Sequence, residues 1–176
     1  MRLLALTALA WATDPATPTE LPQDSLYQLD MELTAADGTQ PELSHFQGKP
    51  VLLSMFYAQC PSACPMIINE LGQIHDAAGD EDLRIVLVSL APDQDDPKAL
   101  AEVVERHNLD GDWLLLTPKA GEERTLAATL GIAYRTMPNG HINHSSILTL
   151  LDEQGRPVAK IDGLGQDHAP ILEALK

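Results

Sequence analysis

Apolar residues in this chain fall into short unbroken runs, separated by stretches where they recur every three or four positions. Residues 51–57 (VLLSMFY), 84–90 (RIVLVSL) and 113–117 (WLLLT) have strand length and lack polar alternation, which is how strands covered on both faces read. Between them the period changes. Residues 65–78 predict a helix, Pro97 opens another whose Leu100, Val103, Val104 and His107 share one face, and 122–130 predict a third that Gly131 stops. Strands alternating with helices imply parallel β-α-β units with right-handed crossovers. Residues 145–152, the turn Glu153-Gln154-Gly155 and residues 157–162 predict an antiparallel hairpin, and 167–176 a terminal helix. Ahead of the first buried run, 26–33 alternate, Ala36-Asp37-Gly38 signals a turn and 40–46 return, which predicts an N-terminal β-hairpin. The expected fold class is α/β: a three-layer sandwich around a central mixed sheet, with an N-terminal β-hairpin and a C-terminal antiparallel hairpin.

The beginning of the chain follows none of these patterns. Residues 1–12 (MRLLALTALAWA) combine one cation, an apolar run and a small-x-small end, as a cleaved signal peptide does, and the run is too short to span a bilayer. Residues 13–24 carry three prolines without apolar periodicity and read as a flexible arm, leaving 25–176 as one domain. The expected product is a soluble periplasmic monomer. With 11 basic against 26 acidic residues the net charge is −15, which excludes nucleic acid and anionic lipid as natural partners.

The only two cysteines, Cys60 and Cys64, stand where the first buried run hands over to a helix, and a proline follows each. A helix N-terminus favours thiolate over thiol. If the turn is helical, the two Cα atoms stand about 6 Å apart, near the upper limit for a disulfide. Short cysteine spacings serve metal sites and redox sites alike, and in an exported protein the pair is a disulfide unless it is reduced or holds a metal. A second cluster, Met137, His141 and His144, lies within residues 136–145 just ahead of a buried run. Met137 and Met66 offer further soft sulfur, a residue type that more often packs cores. His45, His75, His107 and His168 read as background.

Gly48-Lys49-Pro50-Val51, the segment 56–65 (FYAQCPSACP), Val88-Ser89-Leu90-Ala91-Pro92 with Asp96-Pro97, and His144-Ser145-Ser146 followed by Leu151-Asp152-Glu153-Gln154-Gly155 together resemble the Sco/SenC family in order and spacing. The resemblance covers roughly residues 26 to 170. It implies a thioredoxin-like fold, a copper ion, Cu(I) or Cu(II), held by Cys60, Cys64 and His144, and a role in assembling the copper site of cytochrome c oxidase. Its partners would be an oxidase subunit or another copper carrier. Two thiolates and an imidazole are a soft donor set that suits copper. The family commonly carries aspartate where this chain has Ser62, Ala91 and Asn143, so a less negative site with lowered thiolate pKa is expected. The alternative is a thiol–disulfide oxidoreductase in which Cys60 and Cys64 are the redox-active pair acting on a disulfide partner. A peroxidase reading fails because Tyr57 and Pro61 occupy the positions, three before each cysteine, where such relatives place Thr or Ser.

Overall fold

The computed structural model describes residues 21–60, 63–79 and 82–176. The expected signal peptide, most of the arm and Ser62 lie outside the described residues. Within the remainder of the arm, the Ser25 N–H donates to the Pro22 carbonyl at 3.0 Å and Asp24 pairs with Arg156 at 3.1 Å.

Among the described residues eight strands and four α-helices follow one another as β1 (Leu33–Ala35), β2 (Val51–Phe56), α1 (Ala63–Ala78), β3 (Arg84–Ser89), α2 (Pro97–His107), β4 (Trp113–Pro118), α3 (Glu122–Leu130), β5 (Tyr134–Thr136), β6 (Ile142–His144), β7 (Ile147–Leu151), β8 (Pro157–Asp162) and α4 (Ala169–Ala174). Six strands form a mixed sheet in the order β1-β4-β3-β2-β7-β8. β2, β3 and β4 are parallel, with Leu53 opposite Val86 and Leu87 opposite Leu115. β1 and β7 join antiparallel from either side, and β8 returns on β7 as the expected C-terminal hairpin. Among the described residues no helix is long and apolar enough to cross a membrane.

The sequence explains these elements locally. Every residue of β2 is buried, including Ser54, whose hydroxyl is satisfied by donating to the Ile147 carbonyl of β7 at 2.7 Å. α2 starts because the Asp96 side chain accepts the Ala99 N–H at 2.8 Å and Pro97 follows it, and Asn108 ends it in the left-handed region. α1 buries Cys64, Ile67, Ile68, Leu71 and Ile74, the stripe that a 3.6-residue period selects.

The N-terminal β-hairpin does not form. Leu26–Gln28 and Leu43–Phe46 are single 3-10 turns, and only β1 pairs, with β4 rather than with a returning strand. The physical reason lies in the caps. The Ser25 hydroxyl accepts the Tyr27 N–H at 3.1 Å and donates to the Gln154 carbonyl at 2.6 Å, while the Leu26 N–H donates to the Gly155 carbonyl at 2.9 Å. The Leu26 amide is thus bonded to the β7–β8 turn, and the Gln28 and Leu29 amides are used up within the 3-10 turn by the Ser25 and Leu26 carbonyls. In the second turn Glu42 and His45 cap one another reciprocally, and the buried pair Leu43 and Phe46 has the three-residue spacing of a 3-10 turn.

Gly155 stands against this lock with φ of +80°, and a Cβ there would come within 2.5 Å of the Tyr27 ring and 2.8 Å of the Ser25 hydroxyl. Gly155→Ala is expected to destabilise the fold by about 2–4 kcal/mol through backbone strain plus overpacking, measured by urea denaturation of the reduced chain.

Candidate metal centre

β2 delivers the chain to a junction with α1 where buried N–H groups must find acceptors. The Tyr57 N–H is directed at Cys64 Sγ at 3.5 Å, the Cys64 N–H donates to Cys60 Sγ at 3.3 Å, and the Cys60 N–H donates to the Tyr57 carbonyl at 3.1 Å. The two sulfurs therefore stand on one turn without being joined by a disulfide. Cys64 is buried and Cys60 only partly so.

His144 arrives from β6. Residues 136–145 include β6, the second strand of a two-stranded hairpin in which Tyr134 faces His144 and Thr136 faces Ile142. The hairpin sets the histidine edge-on to Tyr57, ring centroids 6.2 Å apart and planes at 77°. His144 Nδ1 lies 3.1 Å from the Ser145 carbonyl, a contact that needs the proton on Nδ1 and leaves Nε2 with a lone pair. Nε2 is buried and has no hydrogen-bond partner among the described residues. One ligand atom from each of Cys60, Cys64 and His144 lies within 4.8 Å of the other two. Two sulfurs and an imidazole nitrogen so placed can hold one soft metal ion.

Electrostatics at the junction differ from the sequence expectation. Burial pushes the Cys64 thiol well above its ordinary value, and the helix N-terminus does not offset the loss of water. Nor is the site stripped of carboxylates. Asp95, a residue sequence reasoning passed over, is buried beside it and adds to the upward push on Cys64. Its Oδ2 accepts the Ser89 hydroxyl at 2.5 Å and the Ala58 N–H at 3.0 Å, while Oδ1 has no partner. Desolvation holds its own pKa above the usual carboxylate range. The only signal for it in the sequence was a second acidic residue just before the cap Asp96. Burial also lowers the pKa of His144, so its ring is neutral at physiological pH.

Two openings reach the sulfurs. A pocket of 410 Å³ is lined by Tyr57, Cys60, Met137, His141 and His144, among others. A smaller one of 230 Å³ brings Cys60 and Cys64 beside Val103, Arg106 and His107. A cavity of 610 Å³ lies by Pro50 and Asp152 at the opposite end of β2, away from the sulfurs. Other histidines are engaged elsewhere: His45 Nδ1 accepts the Glu42 N–H at 2.8 Å, His75 lies 3.6 Å from Asp112, and His168 lies 3.2 Å from Glu70. Met66 is exposed and lines a different pocket, beside Glu70 and His168. Ala91 is buried and Asn143 exposed.

Residues 19–176 match the family described as SCO1/SenC. Among solved structures, the chain is similar to a SCO1/SenC family lipoprotein from Bacillus anthracis, at 23% identity and a TM-score of 0.74, over 84% of this chain and 92% of that one. It is similar to a copper-bound ScoI from Arabidopsis thaliana at 21% identity and a TM-score of 0.70, over 82% and 89% of the two chains. It is also similar, at 21% identity and a TM-score of 0.69 over 82% and 88%, to BsSco, a protein with a disulfide switch from the Sco family of cytochrome c oxidase assembly proteins. Comparison with curated proteins finds no match. Likeness at these identities establishes the thioredoxin-like fold.

The buried Cys64 thiol has a consequence for stability. Above the ordinary thiol value of 9.0 the unfolded chain gives up this proton while the folded chain keeps it, so the folded state binds more protons and loses stability as pH rises. Metal-free, reduced protein is expected to lose up to about 1.4 kcal/mol per pH unit from this group between about pH 9 and 11. Denaturation of Cys64→Ser across that range should show the shallower slope.

Proposed function

The chain belongs to the SCO1/SenC family, and from that premise we propose that it is a copper-binding accessory protein, taking copper on Cys60, Cys64 and His144 and passing it by ligand exchange to the copper site of a respiratory oxidase. The observation that carries this reading is the convergence of two sulfurs and one imidazole nitrogen within 4.8 Å, with His144 Nε2 buried and unpartnered. A buried acceptor without a donor costs stability in the empty site, and a metal ion supplies what it lacks. The copper-bound relative and the oxidase-assembly family of BsSco support the choice of metal and of recipient. We further propose the periplasm as the compartment, on the leader-like start of the sequence.

The residues divide the work. Ser145 fixes the histidine tautomer, Tyr57 supports the ring edge, and the burial of Cys64 makes loading a proton-releasing step, since its thiol must ionise to bind. His144 is already neutral and releases none. Reduced protein is expected to bind one equivalent of copper, with apparent affinity rising about tenfold per pH unit through neutrality for each proton displaced. His144→Ala is expected to weaken binding by at least the roughly tenfold that loss of a supporting group costs a metal site. Unchanged affinity in that variant, measured by competition with a Cu(I) chelator, would remove the histidine from the ligand set.

A second reading, thiol–disulfide exchange, is favoured by one observation: Cys60 lines both openings while Cys64 is buried beneath it. Cys60 would attack a partner disulfide as thiolate, forming a mixed disulfide and releasing one partner thiol. Cys64 would then displace the second partner thiol and close the Cys60–Cys64 bond. Cys64→Ser is expected to accumulate the mixed disulfide and Cys60→Ser is not, as read on non-reducing gels. Absence of the adduct in both variants sinks this activity and leaves copper binding untouched.

A further inference from the structure

Met137 and His141 close the tip of the β5–β6 hairpin. The Met137 N–H donates to the His141 carbonyl at 2.7 Å, the Gly140 N–H donates back to the Met137 carbonyl at 2.9 Å, and Asn139 Oδ1 accepts the His141 N–H at 3.1 Å. Pro138 follows Met137 and Gly140 takes φ of +84°, so residues 138–140 form a three-residue loop, closed by Met137 and His141 and built on a type I turn and a left-handed glycine. Such a loop has little slack. It holds a thioether-bearing and an imidazole-bearing residue at facing positions, joined by the single hydrogen bond from the Met137 N–H to the His141 carbonyl.

Both residues line the 410 Å³ pocket that also holds Cys60 and His144. Met137 is half-buried and His141 exposed, whereas Cys64 is absent from this wall and borders the other opening. A cation entering on the hairpin side thus meets soft donors in order of increasing strength: thioether and imidazole at the rim, then Cys60 with His144, then Cys64. A chain of net charge −15 favours arrival of a cation at any such mouth.

We propose that Met137 and His141 form an entry site at which Cu(I) lands before moving onto Cys60, His144 and Cys64. The inference rests on the copper reading above and extends it to a route. Each exchange replaces a weaker donor by a stronger one. The metal stays Cu(I), no electron moves, and the thiol protons that the ion displaces pass to water.

The test is stopped-flow transfer of Cu(I) from a coloured chelate to the reduced chain, comparing wild type with the double variant Met137→Leu/His141→Asn. Loading is expected to slow by about tenfold, the lower end of what local enrichment of a charged substrate gives. Equilibrium affinity should stay within about twofold, as expected for sites that share no ligand. Loading at the wild-type rate overturns the entry site while leaving the copper reading intact, provided His144→Ala still weakens binding. An affinity loss as large as the rate loss also overturns it, since the pair would then be permanent ligands or structural supports. Failure of wild type to bind copper sinks both. As a second measurement, Ag(I), soft and redox-inert, added to Cys60→Ser/Cys64→Ser protein should move the Met137 methyl and His141 ring NMR signals together. Movement of only one, or of neither, counts against the pair.

Discussion

Buried backbone donors at the end of β2 are the constraint from which the site follows. A strand covered on both faces has to surrender its hydrogen bonds somewhere when it stops, and here the acceptors are chemically active: the Tyr57 N–H points at Cys64 sulfur, the Ala58 N–H reaches the Asp95 carboxylate, and the Cys64 N–H reaches Cys60 sulfur. Two of these acceptors, the Cys60 and Cys64 sulfurs, are also groups that could hold a metal. Substituting either cysteine therefore changes a candidate ligand and an acceptor of the scaffold at once.

The same economy shapes the histidine. His144 gains its orientation from the carbonyl of the next residue and from the edge of Tyr57, both fixed because β6 pairs with β5 directly ahead of β7. Ser145 serves twice, since its hydroxyl accepts the Ala133 N–H at 3.0 Å and ties the base of the hairpin to the chain entering it. A ring held this firmly presents one nitrogen to the sulfurs without searching, which lowers the ordering cost of closing the site.

The proposed copper chemistry and the alternative thiol chemistry would draw on one pair of sulfurs. Burial favours the neutral thiol at Cys64, which protects it against adventitious reaction and would couple the uptake of a metal to proton release. Asp95 deepens that preference from behind. The carboxylates expected from family resemblance at positions 62, 91 and 143 are replaced by neutral residues, yet a negative group persists on the interior side, where it acts on the sulfur through protein rather than through water.

What could be read from the residues alone was set by local rules. The all-apolar runs marked β2, β3 and β4, the cap Asp96 with Pro97 marked α2, Gly131 marked the end of α3, and the pairing of Cys60 with Cys64 marked the chemistry. The family resemblance supplied His144, because no periodicity links residues eighty positions apart. Tertiary structure decided the rest. The alternation of residues 26–33 suits a strand, but whether those amides pair with a neighbouring strand or with the β7–β8 turn depends on Gly155 lying against Tyr27. The state of the Cys64 thiol likewise could not be read from its place at a helix N-terminus. Desolvation and the buried Asp95 act through space, and both exist only once β3, α2 and α1 have closed over the junction.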